Sequence, residues 1–230
     1  IQDTSRILNI MCSEIGTCDL DLIPVEKLKP YISKKLGTGN WLELEEIEYI
    51  DPKLNVTRKW EVCRRKTESK HDVDAVDIHA VIKNVNSPLI ILVVQYRPPI
   101  GKYCIEFPSG ESIETAALRE LREETGYTGK IQSISDPICY EPGLTTSMTR
   151  VVDVEVDLMS VDNVSPTQKL DDDEWSLQVI KVPLENLHER LQELQKQHAE
   201  NLWIDSRLYI YAYGLHVAKD LLYCKMNNIT

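Results

Sequence analysis

Three glutamates lie close together on one predicted helix, where their spacing could hold a metal ion. Glu120, Glu123 and Glu124 occur in the segment 111–127, ESIETAALRELREETGY. At about 100° of rotation per residue, positions i, i+3 and i+4 fall on one face of an α-helix. Bare carboxylates at this spacing repel one another, whereas a hard divalent cation that prefers oxygen ligands reverses that cost. The spacing therefore predicts a divalent-metal site on this helix.

The residues around these glutamates extend the pattern beyond a short acidic run. Taken alone, the letters REE are typical of a solvated helix face with glutamate–arginine pairs. From Glu111 to Tyr127, however, the order Glu-x7-Arg-Glu-Leu-x-Glu-Glu-x-Gly-Tyr resembles, position by position, the second part of the Nudix box. That box is the signature of the Nudix hydrolases. So long a match favours a metal-binding helix over a solvated one.

Further motifs resemble one branch of that superfamily, the ADP-sugar (ADP-ribose) pyrophosphatases. They cover most of the chain from Trp41 to Trp175 and comprise Trp41, Tyr49–Pro52, Trp60–Glu61, Gln95–Pro99, Tyr103–Pro108 and Glu141–Leu144. The resemblance implies the α+β Nudix fold, an α/β/α sandwich with a mixed sheet, preceded by a small antiparallel N-terminal sheet. It also implies Mg²⁺-dependent hydrolysis of the diphosphate bond of ADP-ribose or a related ADP-sugar to AMP and a sugar phosphate, with Mn²⁺ as an alternative metal.

The resemblance implies a role for each acidic residue near the helix. Glu120 and Glu124 would be the main metal ligands, with Glu123 beside them in a catalytic role. The backbone carbonyl of Ser109 would complete the inner shell of the metal. Glu106 lies where a further metal-linked carboxylate occurs in the family. We therefore expect a cluster of oxygen ligands of the kind that Mg²⁺ prefers.

The family also implies a general base on a loop that follows the helix. The acidic run Asp171–Glu174, just before a predicted strand, occupies that place, and Glu174 is the candidate base. The alternative is an acidic loop that only keeps the protein in solution. Arg119 is expected to brace the helix through the acidic residues around it. Whether Glu174 reaches the attacking water is a question of geometry.

The resemblance further implies how an adenine ring and phosphates would be recognised. Trp41 and Trp60 would stack on the adenine, and Glu61 would accept a hydrogen bond from its amino group. Because the family exchanges the N-terminal sheet between subunits, the two tryptophans would come from different chains of a homodimer. The remaining substrate-binding candidates are Arg65 and Arg97, as phosphate contacts, and Leu144. The plainer alternatives are strand-packing tryptophans and a surface role for Arg65.

The match departs from the family pattern at one point. The full Nudix box begins with a glycine, five further residues and a glutamate, whereas Gly110 is followed directly by Glu111. A shortened turn would shift Ser109 or the first helical turn, and a displacement of about 1 Å can cost roughly a hundredfold in rate. Three explanations stay open: a compensated loop in an active enzyme, a catalytically weak or inactive module that binds ADP-ribose, or a printed sequence that omits residues.

The rest of the chain predicts a small sheet followed by a layered domain. Trp41–Ile50 alternates apolar and acidic residues, and Thr57–Arg65 is its expected returning strand. Residues 41–66 thus form the small sheet after an N-terminal tail, 1–40, and residues 67–230 form the Nudix domain. The strands predicted in that domain are Val76–Lys83, Leu89–Tyr96, Ile105–Phe107, Ile131–Tyr140, Met148–Leu158 and Trp175–Val182. The predicted helices are Glu111–Thr125, Leu184–Lys196 and Asp205–Leu222.

The composition of the chain argues against some kinds of binding partner and favours one kind of cellular compartment. Of the 230 residues 42% are hydrophobic, and the formal net charge of −11 argues against non-specific binding to nucleic acid or anionic membranes. No stretch reaches the ~18–20 apolar residues of a membrane span. Six cysteines without a Cys-x-x-Cys pair favour a reducing compartment, the cytoplasm with the nucleus as a second option. Five dispersed histidines lack metal-ligand spacing, which argues against a histidine-based metal site.

The opening segment, Ile1–Ile10, has no basic region followed by an apolar run, so it is not predicted to be a secretory signal. Two alternatives stay open for it: a natural N-terminal segment, or a leader that precedes a start at Met11. The fold prediction does not depend on this choice.

Overall fold

The computed structural model describes residues 22–28, 32–66, 73–110 and 115–227. Ile1–Ile10 and the first residues of the predicted catalytic helix, 111–114, lie outside these ranges, so the predictions for them stay predictions. The described residues form two β-sheets and three α-helices, joined by turns and short 3-10 segments.

A small antiparallel sheet comes first and contains one strand more than the sequence predicted. Its strands, in spatial order, are β1 (Ile32–Thr38), β2 (Leu42–Asp51) and β3 (Val56–Arg65). The β2–β3 pair confirms the predicted hairpin. Strand β1 lies within the segment 1–40 that the sequence assigned to a tail. All seven of its residues are exposed, and polar contacts such as the ion pair between Lys35 and Glu43 (2.6 Å) join it to β2. Without a buried face it shows no apolar alternation, which is why its sequence did not reveal it.

The second sheet is mixed, as predicted. Its strands are β4 (Ala75–Ile82), β5 (Leu89–Arg97), β6 (Lys102–Glu106), β7 (Ser109–Gly110), β8 (Lys130–Ile134), β9 (Ile138–Cys139), β10 (Met148–Val156), β11 (Gln178–Pro183) and β12 (Leu202–Ile204). The main order is β12-β6-β5-β4-β10-β8, with β11 on β5, β7 on β4 and β9 on β10. The β4–β10 and β6–β12 pairs are parallel and the others antiparallel. Strands β7, β9 and β12 are too short to produce a periodic pattern.

Helices cover both faces of this sheet. They are α1 (Thr115–Thr125), α2 (Leu187–His198) and α3 (Ser206–Asn227). Along β4 the buried side chains alternate between two cores: Ile78 packs with Leu121 of α1, whereas Val81 packs with residues of α2 and α3 such as Leu191 and Leu208. Because successive side chains of a strand point to opposite faces, α1 lies on one face and α2 and α3 on the other. This is the predicted α/β/α sandwich. None of the described helices is long and apolar enough to cross a membrane.

Candidate active site

Helix α1 presents its glutamates beside strand β7. Leu121 is fully buried and Leu118 is partly buried in the same core, so this side of α1 anchors the helix to the sheet, as predicted. Glu120 and Glu124 lie nearer to β7, which packs against α1. As a result Glu124 is only 4% exposed, although it is a charged residue on a helix surface. A buried carboxylate of this kind needs a hydrogen-bond donor or a cation.

Strand β7 supplies that donor and sets the position of both glutamates. After β6 the chain leaves β5 and pairs with β4, so that Ser109 lies opposite Asp77. The backbone N–H of Ser109 donates a hydrogen bond to Oε2 of Glu124 at 3.2 Å. The next residue, Gly110, lies against Glu120: a Cβ added to Gly110 would be 2.2 Å from Cγ of Glu120. The absence of a side chain at Gly110 therefore makes room for the Glu120 side chain.

Four carboxylates from three elements form one cluster, in which Glu106, Glu120 and Glu174 surround Glu124. Burial raises the pKa of Glu124 to about 8; the Ser109 N–H opposes this rise, and the negative charges of Glu174, Glu120 and Glu106 add to it. Burial likewise raises the pKa of Glu120, against the nearby positive charge of Arg119. These effects show that α1, the end of β6 and the loop before β11 bring like charges into one small volume. A divalent cation at this point would remove the repulsion.

Arg119 lies on the exposed side of the cluster. Its guanidinium forms ion pairs with the carboxylates of Glu120 and Glu123, one residue and one helical turn away. This is the bracing arrangement that the sequence suggested. The Glu123 side chain is 29% exposed, compared with 15% for that of Glu120. Of the two acidic neighbours of Arg119, Glu123 is thus the more accessible to solvent.

Arg97 and Glu106 bind each other across the β5–β6 pair. Nε and Nη2 of Arg97 donate to the two carboxylate oxygens of Glu106 at 2.9 and 2.8 Å, and Glu106 is only 5% exposed. Sequence reasoning assigned Arg97 to phosphate and Glu106 to the metal without expecting them to be partners. The pair fixes Glu106 in a geometry typical of a bidentate arginine–carboxylate contact. The Arg97 side chain stays 42% exposed.

The loop that carries Glu174 is tied to the C-terminal end of α1. The amide side chain of Gln168 donates to the carbonyl of Glu124 (2.7 Å), and the N–H of Lys169 donates to the carbonyl of Glu123 (2.8 Å). Because the last carbonyls of a helix lack partners within the helix, this loop acts as the C-terminal cap of α1. After the loop, the Ser176 hydroxyl accepts a hydrogen bond from the N–H of Tyr96 on β5 at 2.9 Å.

Between these two anchors, Glu174 ends a short 3-10 turn, Asp172–Glu174. Its Oε2 accepts a hydrogen bond from the N–H of Asp171 at 2.9 Å. Its negative charge raises the pKa of both Glu120 and Glu124, so the Glu174 carboxylate lies within electrostatic range of the two predicted ligands. The structure therefore brings the candidate base and the candidate metal ligands together.

Trp60 connects the small sheet to the loop that contains Leu144. The indole Nε1–H of Trp60 donates to the carbonyl of Gly143 at 2.9 Å, and half of the Trp60 side chain remains exposed. The backbone N–H of Cys63, also on β3, donates to the carbonyl of Leu144 at 2.8 Å. Trp60 and Leu144, both predicted to bind substrate, thus lie close together where the small sheet contacts this loop. The other candidates of the small sheet, Trp41, Glu61 and Arg65, are exposed on β3 or just before β2.

Comparison with known proteins agrees with this arrangement. Residues 74–202 match the NUDIX domain family model, and they include every carboxylate of the cluster. The chain belongs to the Nudix hydrolase family. An uncharacterized Nudix hydrolase of Schizosaccharomyces pombe is 40% identical over 80% of this chain and 90% of that protein. The Nudix fold is also found in a crystal structure of an ADP compounds hydrolase, which aligns with a TM-score of 0.56 over 86% of this chain and 96% of that chain at 18% identity.

Two further relatives are enzymes with named substrates. The ADP-sugar pyrophosphatase of Mus musculus is 39% identical over 78% of this chain and 83% of that protein. The ADP-ribose pyrophosphatase of Saccharomyces cerevisiae is 36% identical over 81% of this chain and 82% of that protein. Nudix hydrolases use divalent metal ions. The donor set found here fits such an ion, because it consists of carboxylates, two of them buried (Glu106 and Glu124), with no nitrogen or sulfur ligand among its members.

Some residues that support the Nudix site were not predicted. Asp77 is buried on β4, opposite Ser109, and receives a hydrogen bond from Nη1 of Arg207 at 2.7 Å. Gln168 caps α1, as described above. The one local signal for Asp77 is its negative charge within a strand that is apolar apart from Asp77 and His79. Arg207 and Gln168 carry no such signal, because Asp77 and the carbonyl of Glu124, which they respectively bind, lie far away in the sequence.

Proposed function

We propose that this protein hydrolyses the diphosphate bond of ADP-ribose or a related ADP-sugar to AMP and a sugar phosphate. The observation that carries the proposal is the convergence of Glu106, Glu120 and Glu174 around the buried carboxylate of Glu124. The names of the mouse and yeast relatives support the choice of substrate. We also propose a cytoplasmic location, with the nucleus as the alternative, since Cys63, Cys104 and Cys139 are free thiols.

For the metal we propose Mg²⁺, with Mn²⁺ as a substitute. Glu120, Glu124 and the carbonyl of Ser109 would hold it, with Glu106 and Glu123 nearby. When bound, Mg²⁺ neutralises charge on the diphosphate and lowers the pKa of a coordinated water. All the proposed ligands are oxygen atoms, as Mg²⁺ requires, and the Arg97 ion pair keeps the Glu106 carboxylate from turning away.

Glu174 is the proposed general base. The water oxygen forms a bond to one phosphorus, the bond between that phosphorus and the bridging oxygen breaks, and Glu174 accepts the proton that the water loses. The anchors at Gln168, Lys169 and Ser176 hold the loop so that the Glu174 carboxylate stays beside Glu120 and Glu124. Two guanidinium nitrogens of Arg97, Nε and Nη2, bind Glu106. In this proposal the remaining guanidinium nitrogen of Arg97, Nη1, donates to a phosphate oxygen of the substrate.

Adenine recognition by two tryptophans requires a homodimer, which we also propose. In the β2–β3 hairpin Trp60 pairs with Ile47, and the N–H of Lys66 donates to the carbonyl of Trp41. At about 3.3 Å per residue, Trp41 and Trp60 of one chain are about 20 Å apart along the hairpin. Two rings that stack on both sides of a third can be at most ~14 Å apart. Because this backbone separation exceeds the ring spacing, we propose that the second tryptophan at each adenine comes from another subunit.

An assay of AMP release from ADP-ribose, with and without Mg²⁺, tests the proposed reaction. We expect Glu124→Gln to lower kcat/KM by more than roughly a hundredfold, since loss of even an outer-shell partner of a metal costs 10- to 100-fold. Glu193→Gln, which changes an exposed glutamate on α2, is the matched control and should leave the rate unchanged. Wild-type turnover in Glu124→Gln would contradict the metal assignment.

The same assay separates an enzyme from a module that only binds ADP-ribose. The shortened stretch between Gly110 and Glu111 motivated that alternative, and Glu111 lies outside the described residues. If calorimetry detects ADP-ribose binding while no AMP forms over hours, the binding module is correct and hydrolysis is wrong. Mg²⁺-dependent AMP formation excludes it.

A further inference from the structure

Two histidines and a glutamate meet where α2 packs against α3. His188 and Glu189 lie in the first turn of α2, and His216 lies in the middle of α3. One ligand atom from each of these three residues lies within 4.8 Å of the other two. The sequence argued against a histidine-based site because the histidines are dispersed. The packing of two helices nevertheless brings this pair together in space.

The spacing of the three side chains is close to that of ligands on one ion. Nδ1 of His216 lies 2.9 Å from Oε1 of Glu189, and the rings of His188 and His216 have centroids 5.1 Å apart. In a tetrahedral zinc site with bonds of about 2.0–2.1 Å, neighbouring ligand atoms are about 3.3 Å apart. Binding of one ion would therefore need side-chain rotations, which include moving the Gln192 side chain whose Nε2 lies 3.4 Å from Nε2 of His188.

The surroundings supply the outer groups that a bound ion needs. Nε2 of His216 lies 3.6 Å from a carboxylate oxygen of Asp220, the usual partner for the second ring nitrogen of a metal-bound histidine.

One side of this cluster is apolar and the other is open. His188 is 8% exposed, and the rings of Tyr209 and Tyr213 each lie 5.4 Å from its ring. The side chains of His216 and Glu189 are 33% and 45% exposed, so an ion can enter from solvent and keep a water as its fourth ligand. This combination of an apolar wall and an open position distinguishes the cluster from a group of exposed acidic residues.

We propose that His188, Glu189 and His216 form a second metal site, which binds a Zn²⁺-type transition-metal ion and links α2 to α3. Imidazole nitrogens suit zinc and its neighbours, whereas Mg²⁺ prefers oxygen ligands. The two sites of the protein therefore take different classes of metal. The site does not depend on the proposed hydrolytic reaction.

Calorimetric titration of the full chain with ZnCl₂, in excess Mg²⁺ so that the carboxylate cluster is occupied, tests this proposal. We expect one Zn²⁺ to bind the wild type, and His216→Gln to weaken that binding at least tenfold. His198→Gln, an exposed histidine at the end of α2, is the matched control and should bind like the wild type. Equal affinity and stoichiometry in wild type and His216→Gln, or no saturable binding by the wild type, would overturn the proposal.

Circular dichroism in EDTA shows whether His216→Gln folds. If it does not fold, a second measurement on the wild-type protein tests the proposal. Crystals of the wild-type protein soaked in Zn²⁺ are measured at the zinc absorption edge. Anomalous density between His188, Glu189 and His216 supports the site. Density confined to other positions overturns it.

Discussion

Gly110 shows how one missing side chain can position a ligand. Its Cα lies against the Glu120 side chain, and a methyl group there would overlap Cγ. We predict that Gly110→Ala moves the Glu120 carboxylate and lowers kcat/KM by roughly a hundredfold, the usual cost of a displacement of about 1 Å. Steady-state kinetics of AMP release measures the loss.

Gly214→Ala is the control for this substitution. Apart from the backbone of its own helix, no atom of the described residues lies within 4 Å of the Cβ that alanine would add at Gly214, which is in the middle of α3. Its rate should equal that of the wild type, and its stability should rise by about 0.5–1 kcal/mol because alanine is the better helix former. A similar loss of activity in both variants would show that crowding against Glu120 is not the cause.

The buried Glu124 carboxylate should make the metal-free protein less stable as the pH rises. The pKa of Glu124 is raised from 4.5 to about 8 in the folded chain, so the folded state holds an additional proton between those two values. Its contribution is therefore favourable below about pH 4.5 and is lost as the pH rises to about 8, by at most about 1.4 kcal/mol per pH unit. Urea denaturation in EDTA from pH 5 to 9 measures the slope.

Two comparisons isolate this contribution. Glu124→Gln cannot release the proton, so the stability of the wild type should fall more steeply with pH than that of the variant. Mg²⁺ should reduce the difference, because a bound cation favours the ionised carboxylate. Parallel curves for wild type and variant without metal would contradict the prediction.

The position of the glutamates on α1 could be predicted from their spacing in the sequence. The contacts between residues on different strands and helices could not. Glu120, Glu123 and Glu124 share one helix, so the helical period alone placed them together. The ion pair of Arg97 with Glu106 depends on the register of β5 and β6, which no local pattern encodes. Asp77 and Arg207 are distant in sequence and could be paired only through the fold.

At the scale of elements, Arg207 links α3 to the strand that supports β7. Its guanidinium binds the buried Asp77 on β4 at 2.7 Å and the carboxylate of Asp205. Burial raises the pKa of Asp77, and the positive charge of Arg207 is the main influence opposing that rise. We predict that Arg207→Ala destabilises the protein by roughly 3–5 kcal/mol, because it leaves a buried acid without its cation.

Urea denaturation of Arg207→Ala checks that value. Arg190→Ala, which removes an exposed ion pair with Glu193 within α2, is the control and should cost less than about 1 kcal/mol. If the two variants are equally stable, the Asp77–Arg207 contact does not hold α3 to the sheet.

The elements that the sequence predicted are those with strong local signals. Helix α1 has alanine, leucine, arginine and glutamate throughout, and β4 and β5 are apolar strands of the expected length. Strand β1 was missed because it has no buried face, and β12 because three residues cannot show a period. Both exist through pairing with strands elsewhere in the chain, β1 with β2 and β12 with β6.

At the scale of the whole molecule, the proposed homodimer implies that each adenine site is built from residues of both subunits. If each adenine lies between Trp60 of one subunit and Trp41 of the other, a purified heterodimer of Trp41→Ala and Trp60→Ala chains has one intact site. It should show about half of the wild-type activity, while each variant homodimer is impaired. Differently tagged, co-expressed chains allow the heterodimer to be isolated for kinetics.

The matched control pairs a wild-type chain with a chain that carries both substitutions. With shared sites this heterodimer has no intact site and should be impaired like the variant homodimers. If instead both tryptophans of a site come from one chain, the heterodimer of the two single variants has no intact site and should be impaired. The heterodimer of a wild-type chain and a doubly substituted chain then keeps one intact site and should show about half of the wild-type activity. Sedimentation at equilibrium establishes beforehand that the protein is a dimer.

The hydrogen bonds at either end of the Glu174 loop limit how this segment can open. Gln168 and Lys169 hold one end to α1, and Ser176 holds the other end to β5. Lifting the whole loop would leave helix carbonyls without partners, so that motion is costly. If this loop has to move for products to leave, the hinge lies within Asp171–Glu174, and the segment that carries the proposed base then also controls release of the nucleotide.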